Sequence, residues 1–184
     1  MFATLWLPTL LSAVFVFVAS SIVHMMMPWH KNDYRQVPNQ DAAMDALRPL
    51  AIPPGDYMVP KPATREDMKS PEYAERMKKG PVFVMTVFPT GPWMMGSTFA
   101  YWFIYLVFVS GLSGHVAAGA LGRTADTIHV FHTVALSAFA GYSLALWQLS
   151  IWYRRSWTTS LKGSFDGLIY AVITGATFVW LWPS

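Results

Sequence analysis

The chain has 184 residues, 54% hydrophobic and 12% charged, with a mean hydropathy of +0.34, and it reads as a single integral membrane domain over residues 1–184. It has no cysteine, which excludes disulfides, thiolate zinc sites, iron–sulfur clusters and cysteine nucleophiles. The net charge of +3 comes from two short loops and leaves no footprint for nucleic acid.

The first apolar stretch runs from Thr4 to Met27, enough for a membrane span of about 20 residues. No lysine or arginine precedes Lys31, so it reads as an uncleaved anchor with its N-terminus outside, not as a signal peptide. Residues 28–94 form a cytoplasmic or interfacial insertion. Within it, PNQDAAMDALRP reads as a short helix with Asn39 as N-cap and Pro49 as stop. LAIPPGDYMVPKP is extended, with a turn at Pro54-Gly55-Asp56. SPEYAERMKKG carries a full set of helix signals. Ser70 caps it, Pro71 takes the first position, Glu72 and Glu75 sit at the positive end, Lys78 and Lys79 at the negative end, and Gly80 ends it. Its basic end is expected to rest on anionic headgroups. PVFVMTVFPTGPW follows without a charge, and its prolines and Gly91 argue against helix. It reads as an apolar extended or re-entrant stretch in the cytoplasmic interface.

Three more apolar stretches follow, from Met95 to Leu121, Thr127 to Tyr153 and Asp166 to Trp182. The segment after the first stretch carries Lys31, Arg35, Arg48, Lys61, Arg65, Lys69, Arg76, Lys78 and Lys79. The second connection carries only Arg123, and the third carries Arg154, Arg155 and Lys162. If four helices alternate, every basic cluster falls on one side. The positive-inside rule makes that side cytoplasmic and puts both termini outside.

Small residues recur every four positions: Gly163, Gly167, Ala171 and Gly175; Thr133, Ser137, Gly141 and Ala145; Ser110, Gly114 and Ala118. Such ridges let helices approach closely in lipid, either within one chain or against a partner. Lys162 and Asp166, four apart, read as a solvated pair at a helix boundary, and Gln148 as a buried polar residue.

Two histidine groups are candidate sites. In HMMMPWH, successive methionines project about 100° apart and cannot converge on one ion, but His24 and Met27 share a face and would suit copper. The competing reading makes Trp29, His30 and Lys31 interfacial anchors at a helix end. His115, His129 and His132 lie at similar depth near the outer face, where two imidazoles from facing helices could hold haem b, or serve as interhelical hydrogen-bonding groups.

The stretches HMMMPWHKNDYRQVPNQDAAMDALR and KGSFDGLIYAVITGATFVWLWP resemble a group of small bacterial inner-membrane proteins to which no activity is attached. The resemblance covers the two ends of the chain. It implies a multi-pass protein of the bacterial inner membrane and carries over no functional residue.

The expected fold is an all-α membrane protein of four transmembrane helices, with an ordered cytoplasmic segment between the first two. No GxSxG, GxxxxGK or HExxH motif occurs, and the expected protein is not an enzyme. It reads as an accessory or structural subunit of a larger inner-membrane complex of the respiratory or photosynthetic kind, with no cofactor. Its partners are the lipid bilayer and other integral membrane subunits, or itself through the small-residue faces. The alternatives are a histidine-ligated haem or copper protein and a homo-oligomeric channel.

Overall fold

Helix α1 (Trp6–Ser21) buries Pro8, Ser12, Ala13, Val16 and Ser20, and exposes Leu10, Val14, Phe15 and Val18. Small and hydroxylated residues turn inward and large apolar ones outward. That is the reverse of a helix in water and is what a lipid surround selects. The buried hydroxyls are satisfied within the helix: Ser12 donates to the Thr9 carbonyl at 3.1 Å and Ser20 to the Phe17 carbonyl at 2.9 Å.

The computed structural model describes residues 4–92 and 94–183. The chain is mostly helical and divides into two compact units, Met1–Arg35 with Met94–Ser184, and Gln36–Trp93. The insertion expected over 28–94 is therefore shorter at its start, because Pro28–Arg35 belongs to the helical unit.

The helical unit contains α1, α4 (Met95–Ala120), α5 (Thr127–Phe139), α6 (Leu146–Tyr153) and α7 (Trp157–Trp180). A π segment, Ala140–Leu144, joins α5 to α6 in one long rod. Helix α1 packs on α4 and α7, and α5 packs on the same two. One core cluster joins Leu5, Ala117, Val130, Val134 and Phe178. A second joins Ala13, Val16, Leu106, Val109, Ala138, Tyr142, Tyr170 and Ala171. The start of α1 thus meets the end of α4, the start of α5 and the end of α7, so successive rods alternate in direction.

Three helical stretches are long and apolar enough to cross a membrane: Trp6–Met26, Met95–Ala120 and Thr127–Tyr153. They mark the chain as a membrane protein. Helix α7 is not among them. It begins at Trp157, well before the expected Asp166, and so takes Lys162 and Asp166 into its body.

The small-residue ridge of α7 packs inside this unit. A Cβ at Gly175 would lie 3.0 Å from Ala135, and one at Gly163 would lie 3.0 Å from Leu146. A Cβ at Gly167 would collide with Ser143, and one at Gly114 with Phe178. Hydrogen bonds line the same seam. Ser150 and Ser160 share one at 2.7 Å, and the Trp147 indole donates to Ser164 at 2.9 Å. Gln148, expected inside, is exposed.

The second unit confirms both expected short helices. Asn39 caps α2 (Gln40–Leu47), accepting from the Ala42 amide at 3.0 Å. Ser70 caps α3 (Pro71–Lys79), accepting from the Tyr73 amide at 3.1 Å, and Gly80 ends it at φ 59°. The expected all-α fold needs correction here. Gly55–Val59 (β1) pairs antiparallel with Phe83–Val87 (β2), Gly55 opposite Val87 and Val59 opposite Phe83. The charge-free run after Lys79 is extended as expected, but β1 satisfies its backbone. Trp93, at its end, lies outside the described residues.

Gly167→Ala should cost about 1–3 kcal/mol by overpacking, and Gly167→Leu should prevent α7 from seating. Leu168→Ala, at a residue 48% exposed, should be tolerated. Thermal unfolding in mild detergent checks this, and equal stability of the Gly167→Leu and Leu168→Ala variants would contradict the packing described.

Candidate functional site

The end of α1 is shaped by its sequence. After Ser21 the helix widens into a π segment, Ile22–Met26, and the Met27 amide donates five residues back to Ile22 at 3.1 Å. Met27, preceding a proline, takes extended backbone (φ −92°, ψ 145°). Pro28–His30 then forms a single 3₁₀ turn that folds His30 back under the helix. The His24 and His30 rings stack, their centroids 4.3 Å apart and their planes 22° from parallel.

His30 is held at both nitrogens. Its Nδ1 lies 2.6 Å from Asp33 Oδ2 and its Nε2 lies 2.8 Å from Asp166 Oδ2 on α7. Lys162, one turn before Asp166, donates to Asp33 Oδ1 at 3.0 Å and to the Trp29 carbonyl at 2.7 Å, and its ammonium lies 5.4 Å from the Trp29 ring centre. The expected Lys162–Asp166 pair is therefore replaced. Lys162 serves Asp33, and Asp166 turns inward to His30 with 2% of its surface exposed. The other Asp166 oxygen, Oδ1, is buried with no hydrogen-bond partner.

A neutral imidazole donates from one nitrogen only. Two carboxylate contacts on one ring therefore require a second proton or a cation between Nε2 and Asp166. His24, His30 and Asp166 each offer a donor atom, all within 4.8 Å of one another, and they are the metal-capable group among the described residues. Asp33, on the far nitrogen of His30, occupies the place of the carboxylate that orients a metal-bound histidine. Burial alone raises the Asp33 carboxyl, but hydrogen bonds from His30 and Lys162, with their charges, outweigh it and hold Asp33 below the usual carboxylate range.

Above this cluster lies a cavity of about 580 Å3 inside the helical unit, bordered by His24, Trp102, Tyr105, Tyr142, Asp166 and Tyr170. A smaller cavity of about 340 Å3 shares His24 with it and reaches His30, Asp33 and Arg155. Both π segments of the unit border the larger cavity, one through His24 and the other through Tyr142. At the second, the Tyr105 hydroxyl donates to the Gly141 carbonyl at 2.7 Å.

The other candidate residues lie elsewhere. Met27 is 50% exposed, and the nitrogen and oxygen donors that converge with His24 come from His30 and Asp166. His115, His129 and His132 stand on exposed helix faces and do not form a three-donor group. His129 lies 3.7 Å from Asp126 one turn away, and His132 rests against Phe131. Sequence reasoning missed Asp166 as a partner for His30. The signal was present, since charge placement already put both on one side of the bundle.

No family model, curated protein or solved structure matches the chain.

The depressed Asp33 value has a signed consequence. Its contribution to stability is full above the unfolded value near pH 4 and is lost as pH falls through the lower folded value. Asp33→Asn should lower the melting temperature at neutral pH and flatten the acid limb of its pH dependence. Melting curves between pH 7 and pH 3 check this, and parallel curves for the two proteins would contradict it.

Proposed function

We propose that the chain crosses the bacterial inner membrane four times, both termini outside, as an accessory subunit of a larger assembly, and that it holds a divalent first-row transition metal at His24, His30 and Asp166. The metal reading is carried by His30, flanked by two carboxylates at 2.6 and 2.8 Å beside a second imidazole. Ligand atoms about 2.1 Å from one ion lie about 3.4 Å apart at tetrahedral angles and about 3.0 Å at octahedral ones, so His30 Nε2 and Asp166 Oδ2, 2.8 Å apart, would part by a few tenths of an ångström around an ion. The unpartnered Oδ1 of Asp166 adds a free donor. Two imidazoles and a carboxylate suit Zn(II) or Fe(II) better than Cu(I), which favours sulfur. The residues bind and orient the ion.

The four-span reading is supported by the alternation of rods and by α7, whose two charges are both engaged by the end of α1. A helix with a buried carboxylate enters a bilayer when that carboxylate is paired inside the bundle. The bacterial setting rests on the resemblance of the chain's two ends. The internal packing of the α7 ridge removes the motive for a homo-oligomeric channel built on that face.

One observation favours a second reading. With His30 protonated, two carboxylates face one imidazolium and one ammonium, and the cluster is electrically neutral without a metal. The buried group would then be a proton site.

Metal analysis of the full chain purified in mild detergent separates the two. About one equivalent per chain is expected, lost in His30→Ala and Asp166→Asn and retained in Met27→Leu. Asp33→Asn should weaken binding by about 10- to 100-fold. A chain that carries no metal and takes up none from added Zn(II) leaves the proton site. For the topology, a reporter fused at Asp56 should give a cytoplasmic signal, and a periplasmic one would reverse the orientation.

A further inference from the structure

The larger cavity holds more chemistry than a metal needs. Four of the residues that line it are aromatic rings in mutual contact. Trp102 stacks on Tyr105, with centroids 5.4 Å apart and planes 26° from parallel. Tyr105 meets Tyr142 edge-on at 6.1 Å, Tyr142 meets Tyr170 at 5.8 Å, and Tyr170 meets Trp102 at 6.3 Å. The Trp102 indole is anchored outside this group, donating to Ser20 at 2.9 Å. Tyr142 and Tyr170 are 7% and 3% exposed; neither hydroxyl makes a hydrogen bond of standard geometry, and that of Tyr142 faces the Ser110 and Thr174 hydroxyls. The Tyr170 phenol is thus left without an acceptor, and the Tyr142 phenol with two neighbouring hydroxyls only, beside Asp166 and His24 in a space of about 580 Å3.

Unpaired buried donors are costly, and they are tolerated where a ligand supplies the acceptor. The inventory describes that ligand. Aromatic walls select a flat conjugated ring. Two O–H donors select carbonyl oxygens. The apolar faces outside the helices deliver a lipid-soluble molecule. An alkylammonium ion would suit the rings and Asp166, but it accepts no hydrogen bond from either phenol.

We infer that this cavity binds a membrane-soluble conjugated carbonyl compound of the quinone class, its ring against the surface formed by Trp102, Tyr105, Tyr142 and Tyr170 and its carbonyl oxygens accepting from the Tyr142 and Tyr170 hydroxyls. The inference goes beyond the metal reading, since none of these four residues is a proposed metal donor. His24 and Asp166 border both sites, which places a bound carbonyl compound next to the metal or proton group.

The test is calorimetric titration of the full chain in detergent with decylubiquinone. Saturable binding near one per chain is expected. Tyr142→Phe and Tyr170→Phe should each weaken it about tenfold, the equivalent of one lost hydrogen bond, and the double variant should lose it. Both substitutions keep the ring and its packing, so folding is retained. Trp180→Phe, at a residue 69% exposed, is the control and should bind normally. Absence of saturable binding, unchanged binding in the double variant, or tighter binding of tetramethylammonium than of the quinone would each overturn the proposal. The two sites fail separately. Tyr142→Phe should keep any metal, whereas His30→Ala should lose the metal and still bind decylubiquinone.

Discussion

His30 stands between two carboxylates, and the inner half of the helical unit is arranged around that contact. It ties the end of α1 to α7 through Asp166 and to the turn after it through Asp33. Lys162 closes the loop from the α7 side. Removing one partner of a buried charged pair costs about 3–5 kcal/mol, mostly because the other charge is left unpaired. Asp166, almost wholly buried, is the residue left exposed to that cost. The contact therefore decides whether a helix carrying an acid in its body can belong to a lipid-facing bundle at all.

The remaining packing follows from a reversed polarity. Buried positions hold Ser12, Ser20, Ser110, Ser113, Ser143, Ser160 and Thr174 beside a few large side chains such as Leu106 and Phe178, while many other large apolar residues, Leu10, Phe15, Phe108, Leu136 and Trp180 among them, face outward. Most of these hydroxyls bond to a carbonyl three or four residues earlier, so they enter the core already satisfied. Glycines then let α7 approach α5 and α6 closely enough for dispersion and short interhelical hydrogen bonds to hold them. The pattern breaks at Ser110, Tyr142, Tyr170 and Asp166, whose buried polar atoms make no hydrogen bond of standard geometry, and the last three of these residues border one cavity. The two π segments lie at the same place, and such widened turns are frequent at functional sites.

Much of this was legible in the sequence, and the failures have physical causes. Apolar runs long enough to span lipid located α1, α4 and the α5–α6 rod to within a residue or two. Capping chemistry located α2 and α3, because Asn39, Ser70 and Gly80 act locally. The β1–β2 pairing was hidden because the two strands are separated in sequence by α3, and period-2 patterning names no partner. The start of α7 was placed too late because Lys162 and Asp166 looked like a boundary, although each is neutralised by residues more than a hundred positions away. The same long-range contact hid the His24–His30–Asp166 group. HMMMPWH alone reads as a helix end, and only the fold-back at Pro28 turns it into half of a site.

The claim that this group holds a metal is tested most directly by X-ray absorption at the edge of the ion bound to the purified chain. The account predicts one ion with nitrogen neighbours from two imidazoles and an oxygen neighbour from a carboxylate, at distances of about 2.0–2.2 Å, with the imidazole signal lost in His30→Ala. A chain that binds no ion, or an ion surrounded only by oxygen with no imidazole scattering, would contradict it.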